Sequence, residues 1–225
     1  MDFSVEKYGF RKIKQFLSSN KALELNDNFL TERVKNQVQD PIIELKPEVF
    51  SKQFPKIYRL IEELMSDQLG YQDLEAKKVW IVYTTASDSD LRVLPYIPHF
   101  DRDRYLKVII YLNDVNKSNG AFWACSSDVN VIEKRRRSLP DNYKARGLNS
   151  INSDQDFSPV EGQAGDAILF DTNCPHYAGT VENDKFRHIL RVDFEKPGWN
   201  DHFRKSGIIT RMLKRANKMI KIVFR

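Results

Sequence analysis

Apolar residues gather into short runs over the middle of this chain, and their spacing predicts β-strands. Residues 79–85 and 106–112 are rich in β-branched and aromatic side chains, and the second run is almost continuously apolar, as in a strand buried on one or both faces. A shorter run, 167–170, follows a Gly-Asp turn, and residues 186–194 alternate in polarity. We therefore expect a mainly β core over residues 79–195.

The N-terminal region has a different pattern. Apolar positions recur at roughly helical spacing over residues 5–16 and, more clearly, over residues 49–64. Pro47 suits the first turn of the second helix, where a missing N–H costs nothing. We expect residues 1–75 to form a helical layer on the outside of the sheet, without chemistry of its own.

One segment interrupts the predicted strands. Residues 126–158 form a longer connection than strands usually need, so we expect a lid or a substrate-binding insertion there. Its cations would suit a substrate with a phosphate or carboxylate group, although a solvated helix face is the simpler explanation. These cations are Arg135, Arg136, Arg137, Lys144 and Arg146.

The positive charge of the chain is concentrated at its C-terminal end. Residues 201–225 contain eight Lys or Arg and one acid, whereas the net charge of the whole chain is +5. The spacing over 203–225 predicts a basic amphipathic helix. Such a helix packs on the domain with its cations in water, or it contacts an anionic membrane through residues 205–225. Binding of nucleic acid or of an acidic partner is the least favoured interpretation.

Composition indicates an ordinary folded protein and a single domain over residues 1–225. The chain is 41% hydrophobic and 30% charged, and it has no apolar run of about 18 residues, so we expect neither a spanning helix nor a signal peptide. Cys125 and Cys174 lack the spacing of a metal or redox pair and fit a reducing compartment. We expect a cytoplasmic protein, with peripheral membrane contact as the alternative.

Candidate chemistry lies at the ends of the predicted strands. His99 and Asp101 are two residues apart on an extended segment, so their side chains project to the same side and can hold one ion. His176 offers a third ligand. Two histidines and one carboxylate form the face that holds non-haem Fe(II) and leaves coordination positions open. The His-x-Asp triplet alone is weak, because such a pair is more often a surface ion pair.

The last predicted strand carries two arginines on one face. Alternation places Arg187, Arg191 and Asp193 together, and His188 on the opposite face. A buried arginine needs a partner. For Arg191 that partner could be Asp193, another acid or a substrate, and His188 is expected to be structural or exposed.

The arrangement of these segments resembles the phytanoyl-CoA dioxygenase family of Fe(II)/2-oxoglutarate oxygenases. The likeness rests on the order and spacing of four motifs. They are His99-Phe100-Asp101, the strand 106–115 with Asn119-Gly120, Gly165 to Asp171 with His176, and Asn183 to Arg187. The resemblance implies a double-stranded β-helix, the cupin-like jelly roll. The chain departs from the family after the Asn-Gly turn, where Ser126-Ser127-Asp128 replaces a frequent Pro-Gly-Ser-His sequence.

The resemblance also implies roles for particular residues. His99, Asp101 and His176 would bind Fe(II), and Arg187 would pair with the distal carboxylate of 2-oxoglutarate, with Arg191 as the alternative. Tyr83 and Tyr111 could contact the co-substrate, or they could be core residues. With O2 as oxidant, the expected reaction is hydroxylation of a small molecule, with release of succinate and CO2.

Asp101 bears on the type of reaction, because family members that halogenate lack this carboxylate. Desaturation and ring closure stay open, and an anionic, glycan or lipid-linked substrate is the hypothesis that the basic segments suggest. Two other function classes also stay open. They are a cupin-like metal protein without oxidative chemistry, and a basic membrane-binding or nucleic-acid-binding module on an inactive barrel. Neither explains why all four site residues occur in the family's order.

Overall fold

The computed structural model of the chain describes residues 5–69, 73–88, 92, 94–138 and 156–201. Within these ranges the chain forms nine strands and five α-helices. The strands are β1 (Phe10–Ile13), β2 (Ile42–Leu45), β3 (Glu75–Thr85), β4 (Leu106–Tyr111), β5 (Phe122–Ala124), β6 (Ser158–Val160), β7 (Ala167–Asp171), β8 (His176–Ala178) and β9 (Phe186–Glu195). The helices are α1 (Val5–Tyr8), α2 (Ser19–Lys35), α3 (Pro47–Gln53), α4 (Pro55–Leu69) and α5 (Val129–Arg137).

The strands form two antiparallel sheets. The larger sheet has the order β1-β7-β4-β9-β3-β2, and the smaller has the order β6-β5-β8. A bridge between His99 and His176 extends the smaller sheet beyond β8. The last four strands, β6 to β9, alternate between the two sheets, as strands of a jelly roll do. The mainly β, jelly-roll fold expected from the sequence is confirmed.

The larger sheet is buried on both faces because each face has its own cover. Its outer face packs against the helices through a cluster that includes Phe29, Phe50 and Ile61. Its inner face packs towards the smaller sheet through a second cluster, which includes Ile109 and Phe122. Two-sided burial is the reason why β4 and β7 are almost continuously apolar in sequence.

The N-terminal region contains two strands that the sequence pattern did not indicate. Gly9, with a φ of +84°, follows the single turn of α1, and the next residues pair with β7 as the edge strand β1. The helix expected over residues 49–64 is divided into α3 and α4, because Pro55 lacks an N–H and disfavours helical backbone at Phe54. Pro47 lies in the first turn of α3, as predicted.

Two expected segments lie largely outside the described residues. Of the insertion 126–158, the structure describes α5 and its flanks but not residues 139–155, and residues 202–225 with the expected basic helix are also outside. The lid and the amphipathic helix therefore stay predictions. In the part of the chain that the structure describes, no helix is long and apolar enough to cross a membrane.

Helix α5 is fastened to the rest of the domain by a buried charged network. Arg136, with an exposure of 0%, donates to Glu133 at 2.9 and 2.8 Å and to the backbone carbonyl of Arg102 at 2.9 Å. Glu133 also accepts from Asn173 at 2.8 Å. Arg136 therefore holds the fold together and is not available for the alternative role of binding an anionic substrate. The network joins α5 to the loops that follow Asp101 and precede His176.

The charge of Glu133 should support stability above acidic pH. Burial opposes its ionisation, but hydrogen bonds from Arg136, Asn173 and Arg137 outweigh burial and lower the pKa of Glu133 from 4.5 to about 2. A lowered pKa in the folded state contributes stability above the unfolded value, and this contribution is lost as the pH falls towards the folded value. We expect Glu133→Gln to lower the free energy of unfolding by about 2 to 3 kcal/mol at pH 7.

Urea unfolding at a series of pH values checks this prediction. The difference between wild type and Glu133→Gln should be constant above pH 4.5 and shrink as the pH falls towards 2. Glu63→Gln is the matched control, because Glu63 forms an exposed helical ion pair with Arg59 and should change stability little. A difference that does not depend on pH would show that the charge of Glu133 is not the cause.

Candidate functional site

The two candidate histidines are joined directly through their backbones. The N–H of His99 donates to the carbonyl of His176 at 3.0 Å, and the N–H of His176 donates back at 2.8 Å. The N–H of Asp101 donates to the carbonyl of Thr172 at 3.0 Å, which fastens the third candidate to the loop before β8. This local pairing brings together residues that are far apart in the sequence.

The side chains of the three candidates converge on one point. Oδ1 of Asp101 lies 3.4 Å from Nε2 of His99 and 3.7 Å from Nε2 of His176. Nδ1 of each ring donates to a backbone carbonyl, that of Ile97 at 2.7 Å and that of Cys174 at 2.8 Å. These bonds leave the Nε2 lone pairs free for a ligand. One atom from each residue lies within 4.8 Å of the others, so the cluster could hold a metal ion.

The charges around this cluster favour metal binding. Burial opposes ionisation of Asp101, but Lys107 and the two histidines outweigh burial and hold the pKa of Asp101 well below its ordinary value. Nζ of Lys107 pairs with Oδ2 of Asp101, so Oδ1 alone faces the histidines. Burial, and then the neighbouring His99, lower the pKa of His176 to about 3. His176 is therefore neutral, which is the form that binds metal ions.

A cavity of about 370 Å³ opens beside the cluster between the two sheets. Two aromatic rings pack beside His176 at the end of the cavity nearest the cluster. The ring centroids of Phe170 and Phe122 lie 5.0 and 5.6 Å from that of His176. Most of the lining is aliphatic or aromatic, which is typical of small-molecule sites. Among the described residues, the cations that line it are Lys107, Arg187 and Arg191.

Arg187 is a buried cation without an anionic partner among the described residues. Its exposure is 7%, its Nη1 donates to the carbonyl of Gly120, and its Nη2 lies 3.4 Å from the hydroxyl of Thr84. Its Nε, also buried, has no hydrogen-bond partner. Burial lowers the pKa of the Arg187 guanidinium, which shows the cost of placing this charge here. Such a group is a ready site for a carboxylate.

Arg191 faces the same cavity but has an acid beside it. Its Nη2 donates to Oδ2 of Asp193 at 3.1 Å, and its guanidinium lies 3.8 Å from the centroid of the Trp80 ring. Alternation along β9 is as predicted, since Arg187 and Arg191 share the inward face. The two arginines therefore both point into the cavity, and they differ in the groups that their guanidinium atoms contact.

The two tyrosines named from the sequence have different positions. Tyr111 lines the cavity, but its O–H donates to the carbonyl of Val160 at 2.6 Å, so it has no proton left to donate to a ligand. Tyr83 does not line the cavity. It lies on the outer face of β3, stacked on Phe186 and edge-on to His188. Alternation directs its neighbour Val82 inward instead.

Lys107 and Trp80 line the cavity but have no functional assignment from the sequence. From the sequence they belong only to the predicted strands 106–112 and 79–85. Trp80 lies beside Arg191 because β3 and β9 are neighbours in the sheet. No local pattern in the sequence indicates this pairing. The signal for Lys107 is its place as a charged residue in an otherwise apolar strand.

Fold and site together define a jelly-roll protein with a two-histidine, one-carboxylate cluster beside a cavity. The family model described as phytanoyl-CoA dioxygenase (PhyH) matches residues 10–189. The chain belongs to this family, as the motifs indicated. No curated protein sequence matches the chain at a significant level.

Several solved structures have a similar fold. The carbocyclase SnoK from nogalamycin biosynthesis, described as non-haem and α-ketoglutarate-dependent, is 16% identical, with a TM-score of 0.60 over 87% of this chain and 82% of its own. EvdO2 from Micromonospora carbonacea var. aurantiaca, solved with 2-oxoglutarate, is 15% identical, with a TM-score of 0.60 over 86% and 88%. HygX from Streptomyces hygroscopicus, solved with nickel and 2-oxoglutarate, is 12% identical, with a TM-score of 0.57 over 86% and 85%. At these identities the likeness shows the fold.

Metal binding should stabilise the folded protein through the cluster. We expect Ni(II) at about 100 times its dissociation constant to stabilise the wild type by roughly 2.7 kcal/mol, because the metal binds only the folded site. His99→Ala should lose this stabilisation. Thermal unfolding with and without Ni(II) measures it.

His188→Gln is the matched control for the loss of a buried histidine. His188 lies on the opposite face of β9, and its Nδ1 is 2.9 Å from Oδ1 of Asn26. The variant should be less stable by itself but keep the full shift with Ni(II). A shift that persists in His99→Ala would show that the metal binds elsewhere.

Proposed function

We propose that this protein is an Fe(II)/2-oxoglutarate-dependent dioxygenase that hydroxylates a small molecule. The observation that carries the proposal is the presence, in one cavity, of the metal cluster and of Arg187. The cluster supplies three ligands and leaves coordination positions open. Arg187 supplies a buried positive charge that lacks an anion among the described residues.

These two groups match the two ends of 2-oxoglutarate. The 2-oxo acid end would chelate the metal held by His99, Asp101 and His176. The distal carboxylate would pair with Arg187, whose neutral partners Thr84 and Gly120 hold its guanidinium in place without cancelling its charge. The family and the solved structures with bound 2-oxoglutarate support this assignment.

The protein's own side chains would position the reactants and exclude water. When bound, Fe(II) and 2-oxoglutarate would supply the oxidation: 2-oxoglutarate would be decarboxylated to succinate and CO2, with one atom of O2 ending in succinate and the other in the hydroxyl group of the substrate. Phe122 and Phe170 keep the ring of His176 in place, and the apolar lining keeps bulk water from the site. Lys107 holds Oδ2 of Asp101, so the carboxylate offers one oxygen to the metal.

The type of oxidation is the finer part of the proposal. SnoK is described as a carbocyclase, so this fold accommodates a reaction other than hydroxylation. We favour hydroxylation because it is the direct outcome of C–H oxidation, and because Asp101 occupies the position that halogenating family members leave open. A non-oxidative cupin-like function would give no reason for the unpaired charge of Arg187.

An anaerobic titration with Fe(II) and 2-oxoglutarate tests the proposal before any substrate is known. The wild type should develop the weak visible charge-transfer band of the metal–oxoacid chelate. His99→Ala should lose the band. Arg187→Ala should need about 100-fold more 2-oxoglutarate, because the distal carboxylate loses its buried partner, worth roughly 3 kcal/mol.

Arg59→Ala is the control for the loss of an arginine, because Arg59 is exposed on α4. It should titrate like the wild type. Circular dichroism should first establish that each variant is folded. If folded, metal-loaded wild type develops no band with 2-oxoglutarate, the co-substrate assignment fails and the non-oxidative alternative takes its place.

A further inference from the structure

The cavity has a second cationic position that 2-oxoglutarate does not use. Arg187 pairs in register with Thr84, and Arg191 pairs with Trp80, four residues further along β9. Four residues of a strand span about 13 Å. A five-carbon dicarboxylate that reaches from Arg187 to the metal cannot also occupy Arg191. This second arginine is therefore available to another ligand.

Arg191 is held in a defined orientation. Its guanidinium stacks on the Trp80 ring at 3.8 Å, and its Nη2 donates to Oδ2 of Asp193 at 3.1 Å. Its Nε lies 2.9 Å from Oδ1 of Asp193, an ion-pair contact without the geometry of a hydrogen bond. An arginine has five N–H donors. Among the described residues no acceptor binds Nη1, so the guanidinium is fixed on one edge and open on the other.

Trp80 adds an unpartnered donor at the same place. Its indole Nε1 is buried, and within the described part of the chain it has no hydrogen-bond acceptor. Leaving a buried donor unpaired costs about 1 to 3 kcal/mol. A ligand oxygen that accepts from Nε1 would remove this cost.

The surroundings favour an anionic acceptor. Nζ of Lys78 lies 5.4 Å from the centroid of the Trp80 ring, so two cations adjoin the indole. The negative charge of Asp193 is paired with Arg191. Glu44, in register with Trp80 on β2, is exposed, so water screens its charge. The rest of the lining is mostly aliphatic or aromatic.

We propose that Arg191 and Trp80 form an oxyanion subsite for the substrate. A carboxylate or phosphate oxygen accepts from Nη1 of Arg191 and from Nε1 of Trp80, and the apolar remainder of the molecule lies against the cavity wall. The substrate class is a small organic acid or phosphate ester with an apolar body. That this ligand is a substrate rests on the proposed oxygenase function, whereas the subsite itself does not.

Calorimetry on the metal-free protein tests the subsite separately from the oxygenase function. The probes are 3-phenylpropionate, phenyl phosphate and the neutral 3-phenylpropionamide. Both anions should bind the wild type at least ten times more tightly than the amide, and the tighter of the two indicates whether the natural group is a carboxylate or a phosphate. Equal affinity for the amide would overturn the proposal, as would no binding of either anion.

Anion binding by variants of Arg191 and Arg187 shows which of the two arginines holds the anion. Arg191→Met should weaken binding of the anions at least tenfold, and Arg187→Met should leave it nearly unchanged. Trp80→Phe, which keeps a ring but lacks the N–H, should weaken binding several-fold and so decides the matter even if Arg191→Met does not fold. Binding that is lost with Arg187 and kept without Arg191 would overturn the subsite.

The two proposals can fail independently. Failure of the iron and 2-oxoglutarate titration would refute the oxygenase function but leave anion binding to Arg191 intact. Failure of anion binding, with a normal chelate band, would refute the subsite alone.

Discussion

The site depends on one pair of backbone hydrogen bonds, those between His99 and His176. This antiparallel bridge joins the segment before β4 to β8, and with it two candidate metal ligands come to lie side by side at the end of the smaller sheet. The pairing uses main-chain atoms, so the side chains of His99 and His176 stay available for a ligand. Both Nδ1 atoms are then oriented by nearby carbonyls, and both Nε2 atoms face Asp101. A site assembled in this way is largely formed before a metal arrives.

A second layer of interactions supports this bridge. Arg136, Glu133 and Asn173 connect α5 to the loops that carry the candidate ligands, and Arg104 pairs with Asp171 at 2.6 Å. Buried charges are costly to bring out of water, so networks of this kind are retained only where nearly every group has a partner. Here the charged side chains fix the positions of two loops, the one that follows Asp101 and the one that precedes His176.

The two arginines of β9 show how surroundings decide the role of a side chain. Both face inward from one strand, and both line one cavity. Arg187 is surrounded by neutral acceptors and keeps its full charge for a ligand, whereas Arg191 shares its charge with Asp193 and its face with Trp80. Arg187 therefore suits the distal carboxylate of the proposed 2-oxoglutarate. Arg191 suits the anionic group of the proposed substrate.

The sequence by itself determined the four central strands of the larger sheet, the shared direction of His99 and Asp101, and the inward face of Arg187, because alternation along a strand is a local property of the backbone. The order of the motifs added the family. Only the tertiary structure decided that residues 10–13 form an edge strand, that Tyr83 faces the helices, and that Trp80 meets Arg191. Those outcomes depend on which distant segment lies opposite, and long-range pairing leaves no periodic signal in a single sequence.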